Sequence, residues 1–271
     1  MKRAMNAWGF PSGMDLDGMI DLAADAGFDG IELAISEDGL LSLDTDLKTV
    51  RSFREKIESA GLEAPSIASG LGWRYPLSSP DGEVVKKGLT GIERSLEFAA
   101  ELGARTVLVV PATVTEEVGY AEAYRRSQEG LGKLAPKAED LGVNIGVENV
   151  WNKFLLSPLE FRRYIEELNS DFVKAYFDVG NILVFGYPQD WIRILGDLIS
   201  CVHVKDFKTR IGNINGFTHL LQGDVNWPEV MAAFREIGYD DYMIAEVGSF
   251  THAPAKMLYD TASSLKEIIA L

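Results

Sequence analysis

The 271-residue sequence is short of cysteine, histidine, positive charge and long apolar runs. Its one cysteine, Cys201, cannot build a disulfide framework or a cysteine-rich zinc module. A lone thiol fits a reducing, cytoplasmic setting. Lys and Arg number 26 against 41 Asp and Glu, a formal net charge of -15. Nucleic acids and anionic membranes attract clustered basic residues, so neither is the expected partner. No stretch approaches the run of about 18 apolar residues that spans a bilayer. Met1 to Trp8 lacks the apolar centre of a secretory signal, and no signal peptide is expected.

What is present is a core and a rhythm. The chain is 46% hydrophobic, enough for a large α/β domain. Asp15 can cap a helix carrying Leu16, Met19, Ile20 and Ala23 at helical spacing. Gly27 should end it, and an extended run to Leu33 follows. The unit recurs, with helix stops at Gly61, Gly103, Gly142 and Gly238, each followed by a strand-like run. Helices are expected at 49–60, 80–102, 120–141, 228–237 and 255–270. Extended segments are expected at 4–8, 62–68, 106–110, 144–147 and 242–247. Two further units fit between Gly142 and Gly238, giving eight strands alternating with eight helices. Strict alternation with apolar strands indicates a parallel sheet covered by helices. Eight units in about 250 residues match a single (β/α)8 barrel over residues 1–271. The open doubly wound sheet is disfavoured, since Gly9-Phe10-Pro11-Ser12-Gly13 is not a dinucleotide-binding glycine loop.

Four strand-like runs break their own apolar pattern, at Glu148, Asp178, His203 and Glu246. A buried carboxylate is expensive unless paired, hydrogen-bonded or metal-bound. In a parallel barrel, function gathers at the C-terminal strand ends, where these four residues fall. Three carboxylates and one imidazole suit a single divalent ion, Mn²⁺ first, with Mg²⁺, Co²⁺ or Zn²⁺ as alternatives. Side chains two apart share a strand face. Gly146 would therefore leave room beside Glu148, and Lys205 would face inward with His203.

Several motifs carry a resemblance. Glu-Asn-Val-Trp-Asn-Lys-Phe at 148–154, Phe-Asp-Val-Gly-Asn at 177–181, His-Val-Lys-Asp at 203–206 and Gly-Asp-Val-Asn-Trp at 223–227 are similar to the sugar phosphate isomerase/epimerase family. This is the xylose-isomerase-like TIM-barrel group. Trp-Arg-Tyr-Pro-Leu-Ser-Ser-Pro at 73–80 resembles the strand-3 loop of its pentulose 5-phosphate 3-epimerases. The resemblance implies that Glu148, Asp178, His203 and Glu246 ligate the metal, and that Glu148 and Glu246 are the acid/base pair. It also takes in AP endonucleases, whose histidine-rich multi-metal sites do not fit three histidines and this charge. Asn181 stands where free-ketose epimerases usually carry histidine, which tilts the reading toward a phosphorylated pentulose or a reaction outside 3-epimerisation.

The implied chemistry is proton transfer on a ketose or ketose phosphate through an enediolate that a Lewis-acidic metal stabilises. The alternative is a dehydratase of the inosose or dehydroshikimate type with the same metal. Trp8, Trp73 and Trp151 fall in strand-end loops and could wall a sugar. Glu32 is a candidate for a sugar hydroxyl or a basic partner. Asn181 and Lys205 are further substrate contacts, and Arg74, Lys153 and Arg210 are candidates for phosphate. The glycine-bearing stretch 207–224 has the length of a lid. The barrel class admits a homodimer or homotetramer, and no helix shows an apolar outer face that would choose.

Overall fold

Helices in this chain stop where the backbone can turn left-handed. Gly27, Gly61, Gly103, Gly142 and Gly238 all have positive φ, between 65° and 85°, a region that glycine enters without a Cβ penalty. Helix starts are equally legible. Asp15, Asp46, Asp81 and Ser157 each accept a backbone N–H of the first turn through their side chains.

The computed structural model describes all 271 residues. Its barrel strands are β1 (Lys2–Asn6), β2 (Gly30–Ile35), β3 (Ser66–Ser69), β4 (Thr106–Val109), β5 (Asn144–Glu148), β6 (Val173–Asp178), β7 (Ile199–Val204) and β8 (Tyr242–Ala245). The helices between and after them are α1 (Leu16–Ala26), α2 (Leu47–Ser59), α3 (Gly82–Leu102), α4 (Tyr120–Leu141), α5 (Pro158–Glu166), α6 (Pro188–Leu195), α7 (Trp227–Glu236) and α8 (Pro254–Ala270). Each strand pairs in parallel with its sequence neighbours, and β8 returns to β1 with Tyr242 opposite Lys2. The result is a closed (β/α)8 barrel with no free sheet edge. No helix is long and apolar enough to cross a membrane.

The apolar core is divided unequally. A cluster of 67 buried residues lies mainly between strands and helices, whereas the cluster inside the barrel has seven: Ala4, Leu108, Val110, Tyr176, Cys201, Tyr242 and Ile244. The interior is small because much of it is polar. Asn6, Glu32, Ser66, Thr106, Glu148, Asp178 and His203 are all buried on strands. That polar filling is the foundation of the site.

Most element bounds differ from the sequence reading by a residue or two, and three departures are larger or carry a structural cause. The first strand ends at Asn6, because the Asn6 side chain accepts the Trp8 N–H at 2.8 Å and turns the chain into a 3₁₀ turn, Ala7–Gly9. The third begins at Ser66 rather than Leu62, just after Pro65, which has no N–H for a ladder. The stretch after β7 is also more ordered than its glycines imply. Asp206–Phe207 pairs antiparallel with Phe217–Thr218, and Ile214–Gly216 forms a 3₁₀ turn.

Candidate metal centre and active site

Register brings the polar strand ends together. Asp178 on β6 lies opposite His203 on β7, and Glu148 on β5 lies opposite Tyr176 on β6. Glu246 follows β8 directly, its N–H donating to the Val204 carbonyl at 3.0 Å. Glu148, Asp178, His203 and Glu246 thereby present ligand atoms that all lie within 4.8 Å of one another. His203 Nδ1 stands 3.8 Å from Glu148 Oε1 and 3.7 Å from Glu246 Oε2, too far for hydrogen bonds. Ligands about 2.1 Å from one ion stand roughly 3 to 4.2 Å from each other. His203 Nδ1 and Asp178 Oδ2 are buried without a hydrogen-bond partner. Asp178 Oδ2 does face Lys205 Nζ at 2.9 Å, off the line that a hydrogen bond needs.

The histidine is held from behind. Its Nε2 sits 2.7 Å from Glu32 Oε2, which also accepts Asn6 Nδ2 at 2.6 Å. The other Glu32 oxygen accepts Ser66 Oγ at 2.6 Å and Tyr176 OH at 2.5 Å. With Glu32 ionised, the imidazole proton belongs on Nε2, and the Nδ1 lone pair faces the cluster. Of the two roles expected for Glu32, a sugar hydroxyl or a basic partner, the structure places it with the second kind, against His203 and away from the cavity. It is fully buried, does not line the cavity above the cluster, and has both oxygens occupied. Tyr176, Asn6 and Ser66 were not anticipated. Tyr176 had one signal, since it shares the inward face of Asp178 two residues on. Its ring takes the space beside Gly146, where a Cβ would come within 3.1 Å of Tyr176 and 2.7 Å of Thr106.

Through Glu148 and Glu246 the cluster reaches the floor of a cavity of about 530 Å³, with Asp178 and His203 buried beneath. Trp8, Trp73, Trp151, Asn181, Lys205, Glu148 and Glu246 line it, with Ile214 and Phe217 from the stretch after β7. Lys205 bridges Asp178 and Glu246. Gly180 lets it pass, since a Cβ there would sit 2.5 Å from Lys205 Cγ. Asn181 reaches the cavity, but its Nδ2 donates to the Asn149 carbonyl at 2.9 Å and its N–H to Asp178 Oδ1 at 2.8 Å. Trp151 is anchored by Nε1 to the Asn181 carbonyl at 2.8 Å and packs on Phe185, Phe207 and Phe217. Arg74 and Arg210, expected at the substrate, do not line the cavity. Arg74 is exposed and paired with Glu37. Arg210 lies in an exposed turn. Lys153 is likewise outside the lining, and His219 packs on Phe250 away from the cluster.

Burial and charge set the titration of the floor. Burial pushes Glu148 up to about 7, with the charge of Glu246 adding to it and the His203 contact opposing. Burial also raises Asp178, against the pull of Lys205. For Glu246 burial is outweighed by the Lys205 and His203 charges, and its carboxyl is lowered. Burial alone would raise Glu32, but the charge and hydrogen bonds of His203, with Ser66 and Tyr176, hold it low. His203 is in turn raised well above its ordinary value, its burial overcome by Glu32, Glu148 and Glu246.

The chain has counterparts among known proteins. L-ribulose-5-phosphate 3-epimerase UlaE of Escherichia coli strain SMS-3-5 is 25% identical over 236 residues, 86% of this chain and 82% of that protein. By name that relative is an epimerase, hence an isomerase. A solved D-tagatose 3-epimerase-like protein superposes with a TM-score of 0.83 at 21% identity, over 100% of this chain and 97% of the other. A solved L-ribulose 3-epimerase gives 0.82 at 20% identity, over 99% and 94%. These two likenesses speak to the fold. The profile of one family spans residues 20–268, nearly the whole barrel with its polar floor, and the chain belongs to that family, the xylose isomerase-like TIM barrels.

Proposed function

We propose that this protein is a divalent-metal-dependent ketose epimerase that moves a proton at C3, beside the C2 carbonyl. The observation that carries the reading is the approach of two glutamates from opposite flanks of one ligand cluster. Glu148 ends β5 and Glu246 follows β8, with Asp178 and His203 between them. A bound divalent ion would supply Lewis acidity to the carbonyl and the neighbouring hydroxyl. The protein supplies the rest. Glu246, held ionised by Lys205, takes the proton from one face. Glu148, pushed up to about 7, returns one to the other face. Two carboxylates are required because one alone restores the original configuration. Trp151 and Phe217 exclude water from the floor.

Sequence likeness to an L-ribulose-5-phosphate 3-epimerase supports the ketose and the position of the proton. The single buried Cys201 is in keeping with a cytoplasmic setting. The test supplies Mn²⁺ and a panel of pentuloses and hexuloses, with and without phosphate, in D₂O. Deuterium should enter at C3. Exchange at C1 would indicate aldose–ketose isomerisation instead. Loss of water with a new ultraviolet chromophore would overturn the reading in favour of dehydration. Glu246→Gln should lower turnover by about 10² to 10⁴.

A further inference from the structure

The cavity has two kinds of aromatic wall. Trp151 is a structural aromatic, with its indole N–H bonded and three phenylalanines packed against it. Trp8 and Trp73 differ. They are 46% and 48% exposed, no aromatic side chain packs against either, and neither indole N–H has a partner. Large apolar side chains left open at the mouth of a cleft mark a contact surface. Facing them from the stretch after β7 is Ile214, itself 65% exposed, on the same cavity.

Charge and volume narrow what can lie there. Lys205 is the one cation in the lining, and it is already engaged by Asp178 and Glu246. The neighbouring basic residue, Arg74, is paired with Glu37 outside. A phosphate dianion is normally met by charged forks or by a lysine, and beyond these two engaged side chains no arginine or lysine lines the cavity. The cavity measures about 530 Å³. A monosaccharide with a dozen non-hydrogen atoms fills roughly 200 Å³ at protein-like packing. Once the reacting sugar is on the floor, more than half of the space remains, between indole faces and an isoleucine.

We infer that Trp8, Trp73 and Ile214 form an outer subsite for a second, uncharged ring attached to the reacting ketose. The substrate class is thus a glycosyl-ketose rather than a ketose phosphate. This rests on the proposed epimerase reading for its reacting end. A pyranose ring offers C–H faces to indoles and hydroxyls to the two free indole N–H groups.

Isothermal titration of the Mn²⁺-loaded protein tests the subsite without reference to turnover. The probes are D-fructose, D-fructose 6-phosphate, isomaltulose and lactulose, the last two being fructose bearing a pyranose at C6 or C4. One of the disaccharides should bind at least tenfold more tightly than fructose, about 1.4 kcal/mol. Trp73→Ala should bring that ratio close to one, and Trp73→Phe should keep part of it. Tightest binding by fructose 6-phosphate, or no disaccharide preference, would overturn the inference. C3 exchange is read separately in D₂O. Disaccharide preference without exchange would retain the subsite and sink the epimerase reading, and exchange without preference would do the reverse.

Discussion

At the scale of single residues, the decisive group is one that never meets the cavity. Glu32 receives four donors, from Asn6, Ser66, Tyr176 and His203, and through His203 it sets which imidazole nitrogen faces the ligand cluster. Replacing a carboxylate behind a ligating histidine typically costs 10- to 100-fold in metal affinity. Glu32→Gln should therefore weaken Mn²⁺ binding by about that factor, with the fold intact by circular dichroism. Unchanged affinity in a competition titration would remove Glu32 from this role. The sequence revealed that a carboxylate sat in the β2 run but not which way its partners lay. The strand pattern Ile31-Glu32-Leu33 is the same for a side chain at the cavity and for one sealed beneath it. The difference arises from the tyrosine, serine and asparagine of three other strands. The four-residue ligand cluster was easier to read, because four interruptions of apolar runs recur at equivalent places. Arg74 and Arg210 were misplaced for the opposite reason. A basic residue in a loop carries no periodicity, and its direction is set by local partners such as Glu37.

At the scale of elements, the stretch between β7 and α7 shows how two short motifs lock together. The Asp206 carboxylate accepts the Phe207 N–H at 2.9 Å, the Val225 N–H at 3.1 Å and Trp227 Nε1 at 3.1 Å. The Asp224 carboxylate accepts the Thr209 N–H at 2.7 Å. His-Val-Lys-Asp and Gly-Asp-Val-Asn-Trp are thus two halves of one clasp, and Ile214 and Phe217 are carried to the cavity on the excursion it closes. From the sequence this region read as a long glycine-bearing loop, because a carboxylate's loop-closing partners are nineteen and more residues away. Gly223 is the tight point, where a Cβ would fall 2.1 Å from Asp206 Oδ1 and 2.6 Å from the Phe207 nitrogen. The carboxylate cannot retreat, since three donors pin it. Gly223→Ala should therefore open the clasp. Amide exchange across 206–227 should rise at least tenfold while the β1–β6 amides keep their protection. KM should rise more than kcat falls. If exchange in the segment is unchanged, the clasp does not hold the excursion in place.

At the scale of the whole molecule, the barrel concentrates negative charge on its own axis. Glu32, Glu148, Asp178 and Glu246 share the interior with Lys205 and His203, in a chain of formal net charge -15. Without a metal, the fold accommodates this by retaining protons. His203 is raised well above its ordinary value, and Glu148 is raised to about 7. A raised group contributes stability that is complete below its unfolded value and lost as pH rises through its folded value. For Glu148 that window runs from 4.5 to about 7, and for His203 it opens at 6.5 and extends upward. Most other shifted carboxylates, such as Glu63 and Glu97, are lowered and already ionised above the acid range. The metal-free protein should thus lose stability from this site between about pH 6 and pH 8. Metal binding needs the deprotonated forms, so its affinity rises over the same interval, close to tenfold per pH unit for each proton released. One proton over two pH units is about 2.7 kcal/mol of added stabilisation by mass action. In a protein of this size that is on the order of 5 °C. The Tm difference between Mn²⁺-loaded and chelator-treated protein should accordingly be larger at pH 8 than at pH 6 by about that amount. Titrations in buffers of different ionisation enthalpy should also show protons leaving as the ion binds. A metal-induced Tm shift that is equal at both pH values, with no proton release, would mean that these buried groups are not the ones the ion displaces protons from.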